Sequence, residues 1–264
     1  MRHTALITGA SFGIGYELAK LFAKDNYNLV LVARNAERLQ KIVTEFQQQY
    51  NITVHIFSVD LSLPKAVEKI FQFTQEKNIS VDFLINNAGF GTHGMFAESN
   101  LDEQLGMIQV NITALTHLTK LFLPEMMKRN FGKIMNVAST AAFQPGPFMA
   151  TYYATKAYVL SFSEALASEL KTTNITVTAL CPGPTETEFQ KRAKVEQTKL
   201  FAKSGMVMQA ETVANIGYKG LMKGKTLIIP GMWNKLLVHS VRFFPRKLVI
   251  KIVRKLQEER NNGL

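Results

Sequence analysis

The sequence predicts an α/β fold, a doubly wound parallel sheet of about seven strands with helices on both faces. Three observations carry this reading. Short apolar runs alternate with longer segments of helical periodicity along most of the 264 residues. The runs are continuously apolar, as strands of a parallel sheet covered on both faces are. The first run leads at once into a glycine-rich turn and then a helix.

Thr4-Ala5-Leu6-Ile7-Thr8 reads as the first strand, and Leu18, Leu21 and Phe22 recur at helical spacing in the segment after the turn. Further strands are expected at 28–33, 53–58, 82–86, 133–137, 175–180 and 226–229. Helices are expected near 14–25, 35–49, 64–76, 101–129, 151–171 and 210–222. The crossovers should be right-handed, with any ligand at the carboxyl ends of the strands, where the strand order reverses. Residues 1–232 form one domain in this reading, and 233–264 a basic amphipathic extension. From Thr187 to Met208 the alternation lapses into mixed charge, with Phe189, Leu200, Phe201, Met206 and Met208 among it. Long irregular stretches in compact domains are usually functional or mobile.

Composition narrows the class. Hydrophobic residues make up 47% of the chain, enough for a sizeable core. The one cysteine, Cys181, excludes an intrachain disulfide framework and fits a reducing compartment. It ends an apolar run and is expected to pack there. Only Met1-Arg2-His3 stand before the first strand, and no apolar run reaches the roughly 18–20 residues of a membrane span. A cytoplasmic protein, possible at a membrane only peripherally, is the expectation. No metal site is expected.

Gly9-Ala10-Ser11-Phe12-Gly13-Ile14-Gly15 joins the first strand to the first helix. Glycines let a backbone approach a pyrophosphate, and the helix N-terminus offers it unpaired N–H groups. The second strand ends in Ala33 followed by Arg34. A carboxylate there would accept the ribose 2′-hydroxyl of NAD, whereas a guanidinium pairs with a 2′-phosphate. This favours NADP(H). Arg38, one turn on, either assists or is simply solvated.

Tyr152 and Lys156 stand four residues apart on a predicted helix and so share a face. At about 4–5 Å and an effective dielectric near 20, their attraction is worth about 3–4 kcal/mol. That lowers a phenol pKa by roughly 2–3 units, toward a working acid/base at neutral pH. Ser139 lies upstream, and Tyr153 lacks a lysine four residues on, because position 157 is Ala157.

Thr8-Gly9-Ala10-Ser11-Phe12-Gly13-Ile14-Gly15 resembles the TGxxxGxG turn of the short-chain dehydrogenase/reductase family, and Ser139, Tyr152 and Lys156 match its Ser–Tyr–Lys set. Asn86-Asn87-Ala88-Gly89 is similar to its NNAG turn, which steadies the sheet beside the cofactor. The resemblance runs from residue 4 to 230 with no fixed position broken, and it implies a Rossmann-type domain. It implies that Asp60-Leu61 contacts adenine and that Asn111 holds a water linking Lys156 to solvent. It also implies that Pro182-Gly183-Pro184-Thr185-Glu186-Thr187 holds the nicotinamide carboxamide. The implied nucleotide set is thus Gly9, Ser11, Phe12, Gly13, Ile14, Gly15, Arg34, Asp60, Leu61, Asn87, Ala88, Gly89, Tyr152, Lys156, Pro182, Gly183, Thr185 and Thr187. Residues 187–208 are implied to be a substrate lid; a solvated surface helix is the plainer alternative, and the two are compatible.

The implied activity is hydride transfer between NADP(H) and a hydrophobic ketone, aldehyde or secondary alcohol. Tyr152 is its acid/base, Lys156 tunes the phenol and holds the nicotinamide ribose, and Ser139 places the carbonyl oxygen. Phe90, His93, Phe143, Phe148, Met149, Phe189, Met206 and Met208 are expected to border the cleft, although each is individually a better candidate for core. A non-catalytic nucleotide sensor or scaffold on the same fold is the alternative, opposed by the intact Tyr152–Lys156 pair. An epimerase or dehydratase is opposed by the glycine spacing. A homo-oligomer formed through the helices near 101–129 and 151–171 is expected by analogy with relatives.

Charge is uneven. Of the net +11, Lys235 to Arg260 carries eight Lys/Arg against two Asp/Glu. Leu248, Val249, Ile252, Val253 and Leu256 share one helical face there, and Pro245 suits the helix start. Such a helix lies in a membrane interface, packs on its own domain over the cleft, or meets a second subunit. The absence of a DNA-binding motif argues against nucleic acid.

Overall fold

The computed structural model describes residues 2–193, 195–196, 198–202 and 207–258. Seven parallel strands form one sheet: β1 (Thr4–Thr8), β2 (Asn28–Ala33), β3 (Val54–Ser58), β4 (Phe83–Asn86), β5 (Gly132–Val137), β6 (Ile175–Leu180) and, after the short β7 (Thr185–Glu186) and β8 (Met208–Gln209), β9 (Leu227–Ile228). Their order is β3-β2-β1-β4-β5-β6-β9, so the winding reverses between β1 and β4. All seven lie within a residue or two of the expected segments.

The strand side chains alternate between two cores, as a period of two requires. Ala5, Ile7, Leu29, Leu31, Phe83 and Ile85 face one core, with α1 (Gly13–Lys24) and α2 (Ala36–Gln49) packed on it. Leu6, Val30, Val32, Leu84 and Ile134 face the other. That side is covered by α3 (Ala66–Glu76), α4 (Leu101–Ile108), α5 (Leu115–Arg129) and α6 (Ala150–Glu169). Helices cover both faces, so β1, β2 and β4 are buried almost throughout, whereas β6 alternates Ile175 and Val177 with Thr176 and Thr178 and the edge strand β3 is only partly buried. The helix expected over 101–129 is present, but a π-helical segment, Gln109–Ala114, joins α4 to α5 and carries Asn111. Hydrophobic periodicity does not register one widened turn; π-turns recur at functional positions.

In the stretch after β6 the described residues form α7 (Glu188–Ala193) and α8 (Lys199–Ala202), with β7 and β8 pairing in parallel as a brace at its two ends. Then come α9 (Ala210–Met222), α10 (Met232–Ser240) and α11 (Arg246–Gln257). Phe201's side chain and Met206, both singled out from sequence, lie outside what the structure describes. Among the described residues, no helix is long and apolar enough to cross a membrane.

Candidate active site

The carboxyl ends of the central strands open into a cleft of about 950 Å³. The turn after β1 forms one end. Gly9 and Gly13 hold left-handed backbone there (φ 66° and 57°), which glycine adopts without strain. A Cβ on Gly9 would come within 2.8 Å of Asn87 Nδ2, and one on Gly13 within 2.8 Å of Thr187 Cγ2. One on Gly15 would collide with the Gly9 carbonyl oxygen and Asn87 Nδ2. Asn87 Nδ2 donates to the carbonyls of Thr8 (3.0 Å) and Gly9 (3.1 Å), so the β4 turn braces the β1 turn. Gly15 is therefore packing behind the cleft, while Gly9, Ser11, Phe12, Gly13 and Ile14 line it.

The dinucleotide fits this cradle. The N-cap of α1, Phe12, makes no side-chain cap, so the helix opens into the cleft with its N-terminal donors unclaimed by a capping side chain. Arg34 Nη1 lies 3.6 Å from Asp60 Oδ2 at the outer edge. Burial raises the Asp60 pKa, but hydrogen bonds from the Ser62 backbone and hydroxyl and the Arg34 charge outweigh it and bring it below its ordinary value. Arg38 is not idle: its Nε donates to the Ser11 carbonyl (3.3 Å) and its guanidinium lies over Phe12 and Tyr16 at 5.5 and 5.3 Å. Leu61, Ala88, Gly89, Pro182, Gly183, Thr185 and Thr187 also line the cleft.

The other end holds the chemistry. Ser139 follows β5 as the cap of a 3₁₀ turn, its Oγ accepting from Ala141 N at 3.1 Å. Tyr152 and Lys156 project from α6. A buried chain of amides anchors that helix: Asn86 Nδ2 donates to Asn136 Oδ1 (2.9 Å), and Asn136 Nδ2 to Ser163 Oγ (2.9 Å). Lys156 is 5% exposed, donates to the Val137 carbonyl at 2.8 Å and lies 5.7 Å from the Tyr152 ring centre.

One expectation is corrected here. Lys156 does not depress the Tyr152 pKa in this arrangement. Burial raises the phenol above its ordinary value, with hydrogen bonding from Ser139 pulling only partly against it. Burial also brings Lys156 itself down to about 8. The sequence estimate assumed a shared solvated helix face, whereas desolvation acts on both groups and the ammonium is committed to a carbonyl. Asn111 lies behind the wall, outside the cleft lining: its Oδ1 accepts from Phe90 N (3.1 Å) and its Nδ2 donates to the Phe90 carbonyl (3.0 Å) and Thr155 Oγ1 (3.0 Å).

Of the expected substrate border, Phe90, Met149 and Phe189 line the cleft. Phe148 does not: it holds left-handed backbone (φ 66°) and its ring lies under Arg254, 5.0 Å away. His93 turns to the Gln257 carbonyl (2.8 Å), Phe143 packs beside Leu160 and Cys181, and Met208 sits in β8. Cys181 is buried, as expected, and burial pushes its thiol up to about 12.

Arg192 and Gln257 are among the lining residues that no sequence motif marks as such. Arg192 lies 4.1 Å from the Phe90 ring centre at the cleft wall. Gln257 arrives from α11, 2% exposed, and donates to Tyr153 Oη at 2.7 Å. The other end of its amide is buried with no hydrogen-bond partner among the described residues. No local pattern could have placed residue 257 beside residue 153. Val249 and Val253 of α11 pack with Met149, Tyr153 and Val195, and Lys199 of α8 pairs with Glu258 at 3.0 Å. One side of the last helix thus packs on the domain through Val249 and Val253, and its Gln257 reaches the cleft.

Known proteins agree with this geometry. Residues 3–198 match the family model described as short chain dehydrogenase. A very-long-chain 3-oxoacyl-CoA reductase of Pyrenophora tritici-repentis is 30% identical over 263 residues, covering 96% of this chain and 76% of its own. A short-chain dehydrogenase from Sphingobium yanoikuyae, solved with NADPH, superposes with a TM-score of 0.81 at 29% identity, covering 99% of this chain and all of that one. The bulky-bulky ketone specific alcohol dehydrogenase of Comamonas testosteroni gives a TM-score of 0.77 at 29% identity, over 99% of this chain and 96% of that one. With a glycine turn, a β4 brace and a Tyr–Lys pair on one cleft, and a family model spanning most of the fold, this chain belongs to the short-chain dehydrogenase family.

Proposed function

We propose that this oxidoreductase reduces a bulky, largely apolar carbonyl with NADPH, or oxidises the corresponding alcohol. The carrying observation is one continuous cleft that joins the glycine turn and Arg34 to Ser139, Tyr152 and Lys156. The bound nicotinamide supplies the hydride chemistry. The backbone at Gly13 and Ile14 and the Arg34 guanidinium hold its phosphates. Thr185 and Thr187 border the carboxamide end, and Lys156 the ribose. Ser139 donates to the carbonyl oxygen and positions it. Tyr152, kept protonated by burial, gives its proton to the oxygen as the alkoxide charge develops, and takes it back in the reverse direction. Asn111 acts on the geometry alone, by fixing the Phe90 backbone to α6.

The relatives named for a very-long-chain 3-oxoacyl-CoA and for a bulky ketone support a large carbonyl substrate, as do Phe90, Met149 and Phe189 along the wall. The unpartnered end of the Gln257 amide supports a polar group on that substrate at some distance from its carbonyl. We expect Gln257→Leu to raise KM about 5–10-fold, the worth of one net hydrogen bond, with kcat nearly unchanged. Residues 187–208 serve as the lid, and the exposed Leu101, Leu105, Ile108 and Tyr158 support self-association through α4 and α6. The test is NADPH oxidation against a panel of bulky ketones and 3-oxoacyl thioesters. Nucleotide binding without turnover would leave a nucleotide sensor, and absence of both would leave a scaffold; either outcome overturns the reading.

The lysine sets the pH dependence. Burial brings the Lys156 pKa down to about 8 and pushes that of Tyr152 above its ordinary value. Reduction should therefore show a level kcat/KM below pH 8 and a falling limb near the Lys156 pKa, measured with saturating NADPH. Lys156→Arg, which cannot lose its charge, should remove that limb from whatever activity remains.

A further inference from the structure

We propose that the outer surface of α10 and α11 docks on an anionic lipid bilayer. The proposal does not rest on the reductase reading. It begins with an inverted helix. At about 100° per residue, Met232, Trp233, Leu236 and Leu237 fall on one side of α10, and Asn234 and Val238 on the other. Asn234 and Val238 are the buried pair, so the apolar face looks outward. Met232 is 76% and Trp233 71% exposed. The chain then passes through Phe243, at 85% the most exposed of the large apolar residues among those described, and Phe244, before entering α11.

In α11 the apolar residues are divided. Val249 and Val253 are docked on the domain, whereas Leu248 and Ile252 remain exposed beside Lys247 and Lys251. Packing on the domain therefore accounts for only part of the apolar surface of this extension. Large apolar residues left in water along one short stretch of chain mark an interaction surface.

The charge chooses the occupant. Residues 232–257 contain seven Lys/Arg and no Asp or Glu. Lys235, Arg242 and Lys247 are all exposed. Placing a second copy against this surface sets like charges face to face. An anionic bilayer complements them, and it accepts tryptophan, phenylalanine and snorkelling lysines at its interface. With α10 nine residues long and α11 twelve, the chain lies in the interface and does not span it. The same elements wall the cleft: a Cβ on Gly183 would touch Asn234 of α10, and Gln257 of α11 lines the interior. A large apolar substrate dissolved in the bilayer would meet the protein on this side.

Trp233 is the only tryptophan and so reports directly. The full chain is mixed with phosphatidylcholine vesicles with or without phosphatidylglycerol. With the anionic vesicles, tryptophan emission should shift to the blue and the protein should co-sediment. Both effects should weaken with added salt. Leu236→Asp combined with Phe243→Asp should cut the sedimented fraction about tenfold, with melting temperature and NADPH binding kept as controls of folding. Absence of shift and sedimentation with anionic vesicles overturns the proposal. So does a dimer in vesicle-free solution, seen by light scattering, that the same double variant splits: the surface would then be a self-interface.

Discussion

Tyr152→Phe is expected to lower turnover by about 10²–10⁴-fold, the usual contribution of a positioned general acid. The substitution removes one oxygen and keeps the ring, which packs 5.2 Å from Phe189 and 6.1 Å from Tyr153. NADPH affinity should be unchanged within about twofold, because α6 is held by Asn136, Ser163 and Lys156, none of which the phenol supports. Single-turnover rates with NADPH, beside a nucleotide titration, check both halves. A variant that binds NADPH normally and still reduces substrate at the parent rate would remove Tyr152 from the chemistry. Tyr153 would not then replace it, since its hydroxyl is buried against Gln257.

Arg34→Ala should weaken NADPH by roughly 10–100-fold and leave NADH within about twofold. A charge-assisted hydrogen bond to phosphate is worth about 1.5–3 kcal/mol. The guanidinium is 55% exposed and spends part of its charge on Asp60 at 3.6 Å. The gain from phosphate should therefore fall toward the lower end of that range at physiological salt. Loss of the arginine also leaves Asp60 to repel the 2′-phosphate, which works in the same direction. Isothermal titration of both nucleotides against wild type and variant measures the selectivity. Equal weakening of NADPH and NADH would mean that Arg34 holds the turn and does not read the phosphate; Arg38, bonded to Ser11 and stacked on Phe12, would then be the next reader to test.

The sheet, the succession of its elements and much of the cleft are legible in the chain's residues. The central strands β1, β2 and β4 announced themselves as largely apolar runs because helices cover both faces of the sheet there, and the glycines declared a turn that no side chain fits. Tyr152 and Lys156 were legible because helix geometry fixes residues four apart on one face. What these groups feel was decided by the tertiary structure. Electrostatics between two solvated charges would lower the phenol pKa, but burial among β5, α6 and the closing helix raises it and lowers the lysine. Asn111 sits in a widened turn that periodicity averages away, and its amide is spent on the Phe90 backbone. The fate of the basic tail was open for the same reason. An amphipathic pattern says that a face must be covered, and only the fold says by what: Val249 and Val253 pack on the domain, Gln257 reaches the cleft, and the outward residues of α10 are left for another surface.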